Sequence, residues 1–236
     1  MKNIKNAIKN IIQLTGYNLS RFKTTVSPLV YFEIDTLLDV GANTGIYAME
    51  VRKYGFKKKI VSFEPLSESY KILKENSKND KNWKVHDRCA IGSKEADQIE
   101  INVSKNSVSS SLLPMHTLHS DVAPNSIYIA KDIAKIITLD SIFNEYITNN
   151  DKVFLKVDTQ GYEKEVLDGA KNSIKHIKII ELEMSTVPLY ESQELYQYFF
   201  KFLNDNGFNL WSIKSEFIDP KNSQTLQFNA TFVKPN

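Results

Sequence analysis

From Thr36 onward the chain alternates short apolar runs with longer segments of helical period, and this alternation limits the fold more than any other feature. "TLLDVG" at 36–41, "KIVSFEP" at 59–65 and "WKVHDRCAIG" at 83–92 read as strands, the last with its exit. Between them, "GIYAMEVRKYG" at 45–55 reads as a helix closed by Gly55, and "SESYKILKENSK" at 67–78 as a helix capped by Ser67. The rhythm returns with a helix at 138–147, a strand at 153–161, a helix at 162–174, a strand at 177–184 and a helix at 192–207. Two strand-like runs, 208–213 and 225–233, follow with no helix between them. A parallel crossover needs a dozen or more residues and usually a helix, so these two runs are antiparallel neighbours. The expected fold is α/β, with a mostly parallel seven-stranded sheet that finishes in a C-terminal antiparallel hairpin.

Residues 93–135 interrupt the pattern. "QIEINVS" alternates like an extra strand, but the rest is rich in serine and proline and reads as a lid or insertion above the sheet. No stretch of 36–236 looks like a linker, so it is expected to form one domain behind an N-terminal extension, 1–35. Within residues 1–32 lie Lys2, Lys5, Lys9, Arg21 and Lys23 and no acid ahead of Glu33, while Ile4, Ala7, Ile8, Ile11 and Ile12 recur at helical spacing. A basic amphipathic arm suits contact with the domain, a second subunit or a membrane surface. The formal net charge of +2 gives no global case for nucleic-acid binding. A lone cysteine, Cys89, excludes an internal disulfide and a cysteine-rich zinc site, which fits a reducing, cytoplasmic setting. No apolar run approaches the roughly 20 residues of a membrane helix.

The turn after the first strand, "DVGANTG", lies where open α/β sheets bind ligands, outside the carboxyl ends of the strands. A dinucleotide fingerprint would need glycines where Asn43 and Ile46 stand, and no Gly-Lys-Ser/Thr follows to make a P-loop. The spacing Asp39-x-Gly41-x-x-x-Gly45 resembles instead the first motif of S-adenosylmethionine-dependent methyltransferases. Gly41 and Gly45, with Asn43 and Thr44 between them, give backbone that can pass close beneath an amino-acid moiety. Asp39 offers a carboxylate to the cofactor's ammonium, and Glu64, at the tip of the second strand, is set to accept from ribose hydroxyls. Asp87 and Arg88 follow the third strand and are candidates for the adenine edge.

Further along, "LKVDTQGYEKEVLDGA" at 155–170 joins "DVGANTG", "FEP" at 63–65, "TLDSI" at 138–142 and "IELE" at 180–183. In order and spacing these runs resemble the FkbM family of methyltransferases, over about Thr36 to Glu183. The resemblance implies a class I, Rossmann-like methyltransferase fold, S-adenosylmethionine as cofactor, and O-methylation of a hydroxyl on a sugar, glycan precursor or similar secondary metabolite, free or carrier-linked. The family's usual Lys-Ile-Asp-Val-Glu-Gly-Tyr-Glu appears here as Lys156-Val157-Asp158-Thr159-Gln160-Gly161-Tyr162-Glu163, with an amide where a charge is usual.

Transfer of a methyl group to a hydroxyl needs a proton acceptor above the central strands. Asp158, at the end of "VFLKVD", is the first candidate for that base and also borders the cofactor; a structural pairing with Lys156 is its alternative role. Glu183, at the tip of "IIELE", is the second candidate, and His116 of the lid the third, beside His119. No set of metal ligands stands out. Two other classes remain open on sequence: a nicotinamide-dependent oxidoreductase, and a non-catalytic methyltransferase-like module that docks a partner through the basic arm.

Overall fold

The structure is a computed structural model that describes residues 27–235. The amphipathic helix expected near the N-terminus therefore lies outside the described residues. A short helix α1 (Pro28–Tyr31) leads into β1 (Thr36–Val40), followed by α2 (Ile46–Lys53), β2 (Lys59–Phe63), α3 (Ser67–Ser77) and β3 (Trp83–Val85). Next come β4 (Cys89–Ile91), β5 (Ala96–Ser104), α4 (Thr117–Val122), β6 (Tyr128–Ile137) and α5 (Leu139–Tyr146). The chain ends with β7 (Val153–Val157), α6 (Glu163–Asp168), β8 (Ile177–Ser185), α7 (Tyr196–Asp205), β9 (Asn209–Ile218) and β10 (Thr225–Val233).

The main sheet has seven strands in the order β3-β2-β1-β7-β8-β10-β9. The first five are parallel to their neighbours, and β10 runs antiparallel to both β8 and β9. All five residues of β1 and of β7 are buried, as expected of strands covered on both faces. Period-two alternation sends Leu38, Val40, Leu155 and Val157 to the side of α5, α6 and α7. Leu37 and Phe154 face α1, α2 and α3 instead. Helix α7 shows why an apolar stripe holds a helix down: Phe199 and Leu203, one turn apart, are both buried, each worth roughly 1.5–3 kcal/mol relative to exposure.

Several boundaries differ from the sequence reading. The run 83–92 is not one strand: β3 ends at Val85, and β4 pairs with β6 in a separate three-stranded sheet, β4-β6-β5. The span 93–135 thus carries two antiparallel strands, β5 and most of β6, and the stretch between them, 105–127, which holds α4, resembles a lid. Strand β6 escaped notice because much of it is solvent-exposed and carries Lys131 and Asp132 among its apolar residues. Ser67 is the first residue of α3 rather than its cap, and the capping group is Asp132 of β6, whose Oδ2 accepts from Ser67 N–H at 2.7 Å and from its hydroxyl. The final helix starts at Tyr196, four residues later than expected. Among the described residues no helix is long and apolar enough to cross a membrane.

Candidate active site

At the exit of β1 the backbone turns left-handed at Gly41 (φ +77°), Asn43 (φ +48°) and Gly45 (φ +86°). A Cβ on Gly41 would stand 1.9 Å from the carbonyl oxygen of Asp158, so this glycine lets the exits of two neighbouring strands touch. A Cβ on Gly45 would meet the Trp83 ring at 2.7 Å. Both glycines are thus required by the protein's own packing, and the approach of a ligand is not their immediate reason. The turn is tied to the tip of β2: the N–H groups of Gly41 and Ala42 donate to Phe63 O at 3.1 and 3.0 Å.

Glu64 completes this half of the site. Its Oε2 accepts from Asn43 N–H at 2.7 Å and its Oε1 from Leu66 N–H at 2.8 Å. Only 4% of the residue is exposed, and burial pushes its carboxyl up to about 7 against the pull of those two donors. Each oxygen keeps a second lone pair for a ligand hydroxyl.

The exit of β7 is organised by side chains. Lys156 is buried, with its Nζ 3.3 Å from Asp158 Oδ2, 3.7 Å from Asp39 Oδ1 and 5.1 Å from the centre of the Tyr47 ring. Burial alone would push this ammonium down, but the Asp158 and Asp39 carboxylates hold it above the ordinary lysine range. Gln160, itself left-handed at φ +55°, donates through Nε2 to Asp158 Oδ1 at 2.9 Å and to Glu183 Oε2 at 2.5 Å. Its Oε1 accepts from Tyr190 Oη–H at 2.7 Å, which fixes the amide's orientation. Its backbone carbonyl accepts from Ser111 Oγ–H at 2.7 Å, which fastens the 105–127 span to this turn. Glu163 folds back to accept from the N–H groups of Thr159 and Gly161, at 2.8 and 3.2 Å; burial pushes its carboxyl up to about 7.

Between the two exits lies a solvent-open cavity. Gly41, Asn43, Glu64 and Asp158 line it, together with apolar Phe63, Leu66, Ile91 and Ile101. Ser107, Ser110, Ser111 and Gln160 add polar groups to its wall. A cavity with apolar walls and a few convergent polar groups suits a small organic ligand.

Other expected residues stand elsewhere. Asp39 is fully buried behind the turn, where its Oδ2 accepts from Ser62 Oγ–H at 3.2 Å, so its carboxylate does not reach the cavity to meet an ammonium. Thr44 and Gly45 lie outside the cavity wall; Thr44 N–H donates to Asn43 Oδ1 at 2.8 Å and Gly45 precedes α2. The guanidinium of Arg88 is spent on the carbonyls of Pro65 and Ile133, at 2.7 and 2.8 Å, and faces Asp132. Asp87 and Arg88 border a different hollow, while Cys89, Ala90 and Ile91, which follow them in the chain, line the cavity. Glu183 sits behind Gln160 and also accepts from Gln227 Nε2 at 2.8 Å, so it touches the cavity only through that amide. Its carboxyl is held well above the usual range by burial and by Asp158 and Glu163. His116 is exposed and its Nδ1 caps α4 by accepting from Leu118 N–H at 3.3 Å, which corrects its candidacy as a base. His119 is buried against Tyr190 and Phe217, and burial lowers it to about 4. Sequence reasoning missed Tyr190, since no local pattern announces a contact across 81 residues such as Tyr190 Oη–H to Ser109 O.

The methyltransferase FkbM domain matches residues 39–210 of this sequence. The chain belongs to the FkbM methyltransferase family. It is accordingly a methyltransferase that takes S-adenosylmethionine, and a nicotinamide-dependent oxidoreductase is set aside. None of the curated proteins matches the sequence. Among solved structures, the precorrin-6y C5,15-methyltransferase of Geobacter metallireducens is 14% identical, with 92% of this chain and 93% of that one covered and a TM-score of 0.43. A SAM-dependent methyltransferase of Aquifex aeolicus is 14% identical over 91% of this chain and 100% of its own, with a TM-score of 0.44. TrmK of M. capricolum, in complex with S-adenosylhomocysteine, is 10% identical over 93% and 70%, with a TM-score of 0.45. At such values nothing about substrate passes from these proteins to this chain.

The residues present fit the cofactor. Glu64 offers two free lone pairs at a strand tip, and Phe63, Leu66 and Ile91 give apolar walls to a nucleoside. Among the described residues no cluster of His, Cys, Asp or Glu is placed to hold a metal ion.

Proposed function

We propose that this FkbM-family enzyme methylates oxygen, and that its acceptor is a hydroxyl of a sugar or glycan precursor. The observation that carries the reading is Asp158. It lines the cavity next to Gly41, and each of its oxygens is held by a separate donor, Lys156 Nζ at 3.3 Å and Gln160 Nε2 at 2.9 Å. A carboxylate fixed in this way accepts the proton of a hydroxyl as its oxygen becomes nucleophilic. S-adenosylmethionine, when bound, supplies the electrophilic methyl group. Glu64 and Asn43 would hold the nucleoside side of the cavity, while Ser107, Ser110 and Ser111 offer hydrogen bonds to a polyhydroxylated acceptor. The wall combines two carboxylates, two amides and several hydroxyls with little aromatic surface, which matches a sugar's alternating donors and acceptors.

The test is transfer of a labelled methyl group to a panel of nucleotide sugars and lipid-linked oligosaccharides, with the product mapped by mass spectrometry. Label on a sugar oxygen is the expected result. Label on nitrogen or carbon, or none on any sugar while S-adenosylhomocysteine binds in a calorimeter, would remove the reading.

A further inference from the structure

Gln160 presents two ends. Its Nε2 faces the carboxylates of Asp158 and Glu183, and its Oε1 faces the hydroxyl of Tyr190. The backbone beneath it is fixed: its carbonyl accepts from Ser111 Oγ–H, and a Cβ on the next residue, Gly161, would stand 3.0 Å from the Tyr190 ring. The side chain is therefore launched from one place, and its outer torsions decide where the amide points.

Tyr190 is fully buried and lies outside the cavity wall. Its ring packs with Leu189 and Leu226 and meets the His119 ring edge-on, with centroids 5.2 Å apart. Phenylalanine would serve that packing equally well, so the core leaves the hydroxyl unexplained. A phenol has one hydrogen to give, and two acceptors are in reach: Gln160 Oε1 at 2.7 Å and Ser109 O at 3.2 Å. The shorter contact has the better geometry for it. The support of the ring is firm. The N–H groups of Leu189 and Tyr190 donate to Gln193 Oε1 at 2.7 and 2.6 Å, His116 N–H donates to Leu189 O at 2.9 Å, and Glu191 N–H to Pro114 O at 2.9 Å.

We propose that Tyr190 is a positioning residue for methyl transfer: its hydroxyl holds the Gln160 amide so that Nε2 keeps Asp158 aimed into the cavity. That role rests on Asp158 being the proton acceptor. Lys156 holds only Oδ2 of Asp158, and a carboxylate gripped by one oxygen still turns about its last torsion. Gln160 on Oδ1 removes that freedom. Aim matters at this atom, because a displacement of about 1 Å at a reacting centre can cost on the order of 10²-fold in rate. Gln160 passes the constraint on because an amide accepts at one end and donates at the other, whereas an ionised glutamate only accepts. Without the phenol, Gln160 Oε1 would lose its donor, and turning towards water in the cavity is the remedy at hand. Nε2 would then leave Asp158.

Tyr190→Phe, Gln160→Met and the double variant test the proposal, with two kinds of readout. The first needs no acceptor. In NMR spectra of the parent, the Gln160 side-chain amide should exchange slowly with solvent; in Tyr190→Phe it should exchange about tenfold faster or more. The carboxyl carbon resonance of Asp158 should move in the same variant. The second is methyl transfer to whichever nucleotide sugar or lipid-linked oligosaccharide accepts most label. There kcat should fall about tenfold in Tyr190→Phe and somewhat more in Gln160→Met, with KM and S-adenosylhomocysteine affinity within about twofold of the parent. Since Tyr190 acts through Gln160, the double variant should be no slower than Gln160→Met. A merely structural tyrosine would instead lower thermal stability, leave Asp158 unmoved and multiply its loss with that of Gln160→Met. Unchanged amide exchange, an unmoved Asp158 resonance, kcat within twofold of the parent, or multiplied losses would each overturn the proposal. An inactive Asp158→Asn beside a fully active Tyr190→Phe would defeat it alone, whereas full activity of Asp158→Asn would defeat the proton acceptor first. Should no sugar accept label, the sugar reading falls, and the two resonances decide whether Tyr190 holds Asp158 through the amide.

Discussion

The two halves of the cavity are built by different means. Around Glu64 the work is done by backbone: the donors are N–H groups of Asn43 and Leu66, and the turn is held by Gly41 and Ala42 on Phe63 O. Around Asp158 it is done by long side chains, with Lys156 on one oxygen, Gln160 on the other, and Glu183 and Tyr190 behind Gln160. Backbone fixes a slot that tolerates few changes, whereas a side-chain network can be retuned one residue at a time.

The harshest way to break the comparison is Gly41→Ala, which strikes the seam between the halves. The new Cβ would lie 1.9 Å from a backbone oxygen at φ +77°, where neither partner can yield. Overpacking and left-handed strain together should cost roughly 4 kcal/mol or more, a large share of a domain's stability. Urea denaturation should show the variant unfolded or nearly so. Gly45→Ala should be milder, because its neighbours are the ends of the Trp83 and Leu73 side chains.

Next in size is Asp158→Asn, which removes the proposed proton acceptor and keeps its shape. Methyl transfer should fall by about 10²–10⁴-fold, with S-adenosylhomocysteine affinity changed only a few-fold by calorimetry, since Glu64 stands in the other half. A comparable loss of both would make Asp158 a cofactor residue and leave the base unassigned.

These expectations follow how much of each half could be read in the sequence. The first half is local: "DVGANTG" and "FEP" are contiguous runs, and strand–helix alternation places both at carboxyl ends. Even there, sequence could assign Asp39 and Glu64 to strand tips but not show that period-two alternation turns Asp39 inward onto Lys156 and Ser62. The second half joins distant segments. Gln160 stood out only as a departure from the family's glutamate, while its partners Ser111, Glu183 and Tyr190 lie 49, 23 and 30 residues away. The small sheet was missed for a related reason. Strand β4 is three residues long and pairs with β6 across 46 positions, Cys89 with Lys135, so no periodicity could mark it.

A pH series sharpens the contrast. Glu64 and Glu163 are both pushed up to about 7 by burial, against 4.5 as the ordinary value. For an acid raised in the folded state, the unfolded chain loses its proton first, so stability is full below about 4.5 and declines as pH rises towards about 7. The decline amounts to roughly 3 kcal/mol at most for each carboxyl. Glu64→Gln should flatten part of it in thermal melts between those limits. Ribose hydroxyls donate best to an ionised carboxylate, so S-adenosylhomocysteine should bind more tightly as pH rises through about 7, with release of a proton. Glu64→Gln should abolish that trend too. A variant that still binds more tightly at higher pH would take the ribose away from Glu64.

The smallest effect is expected at His116, in neither half. Its imidazole is exposed, stands outside the cavity wall and accepts one backbone N–H at the start of α4. Replacing it by alanine should cost about 1 kcal/mol or less, the scale of a weak helix cap, and leave methyl transfer within twofold. The 105–127 span would stay in place because Ser111, Met115 and the Leu189 carbonyl fasten it through contacts that do not use the imidazole. A loss of activity of catalytic size, with stability unchanged, would mean that α4 moves onto the cavity during turnover and that the base is supplied from the lid, which would leave Asp158 with the orienting role its two donors already give it.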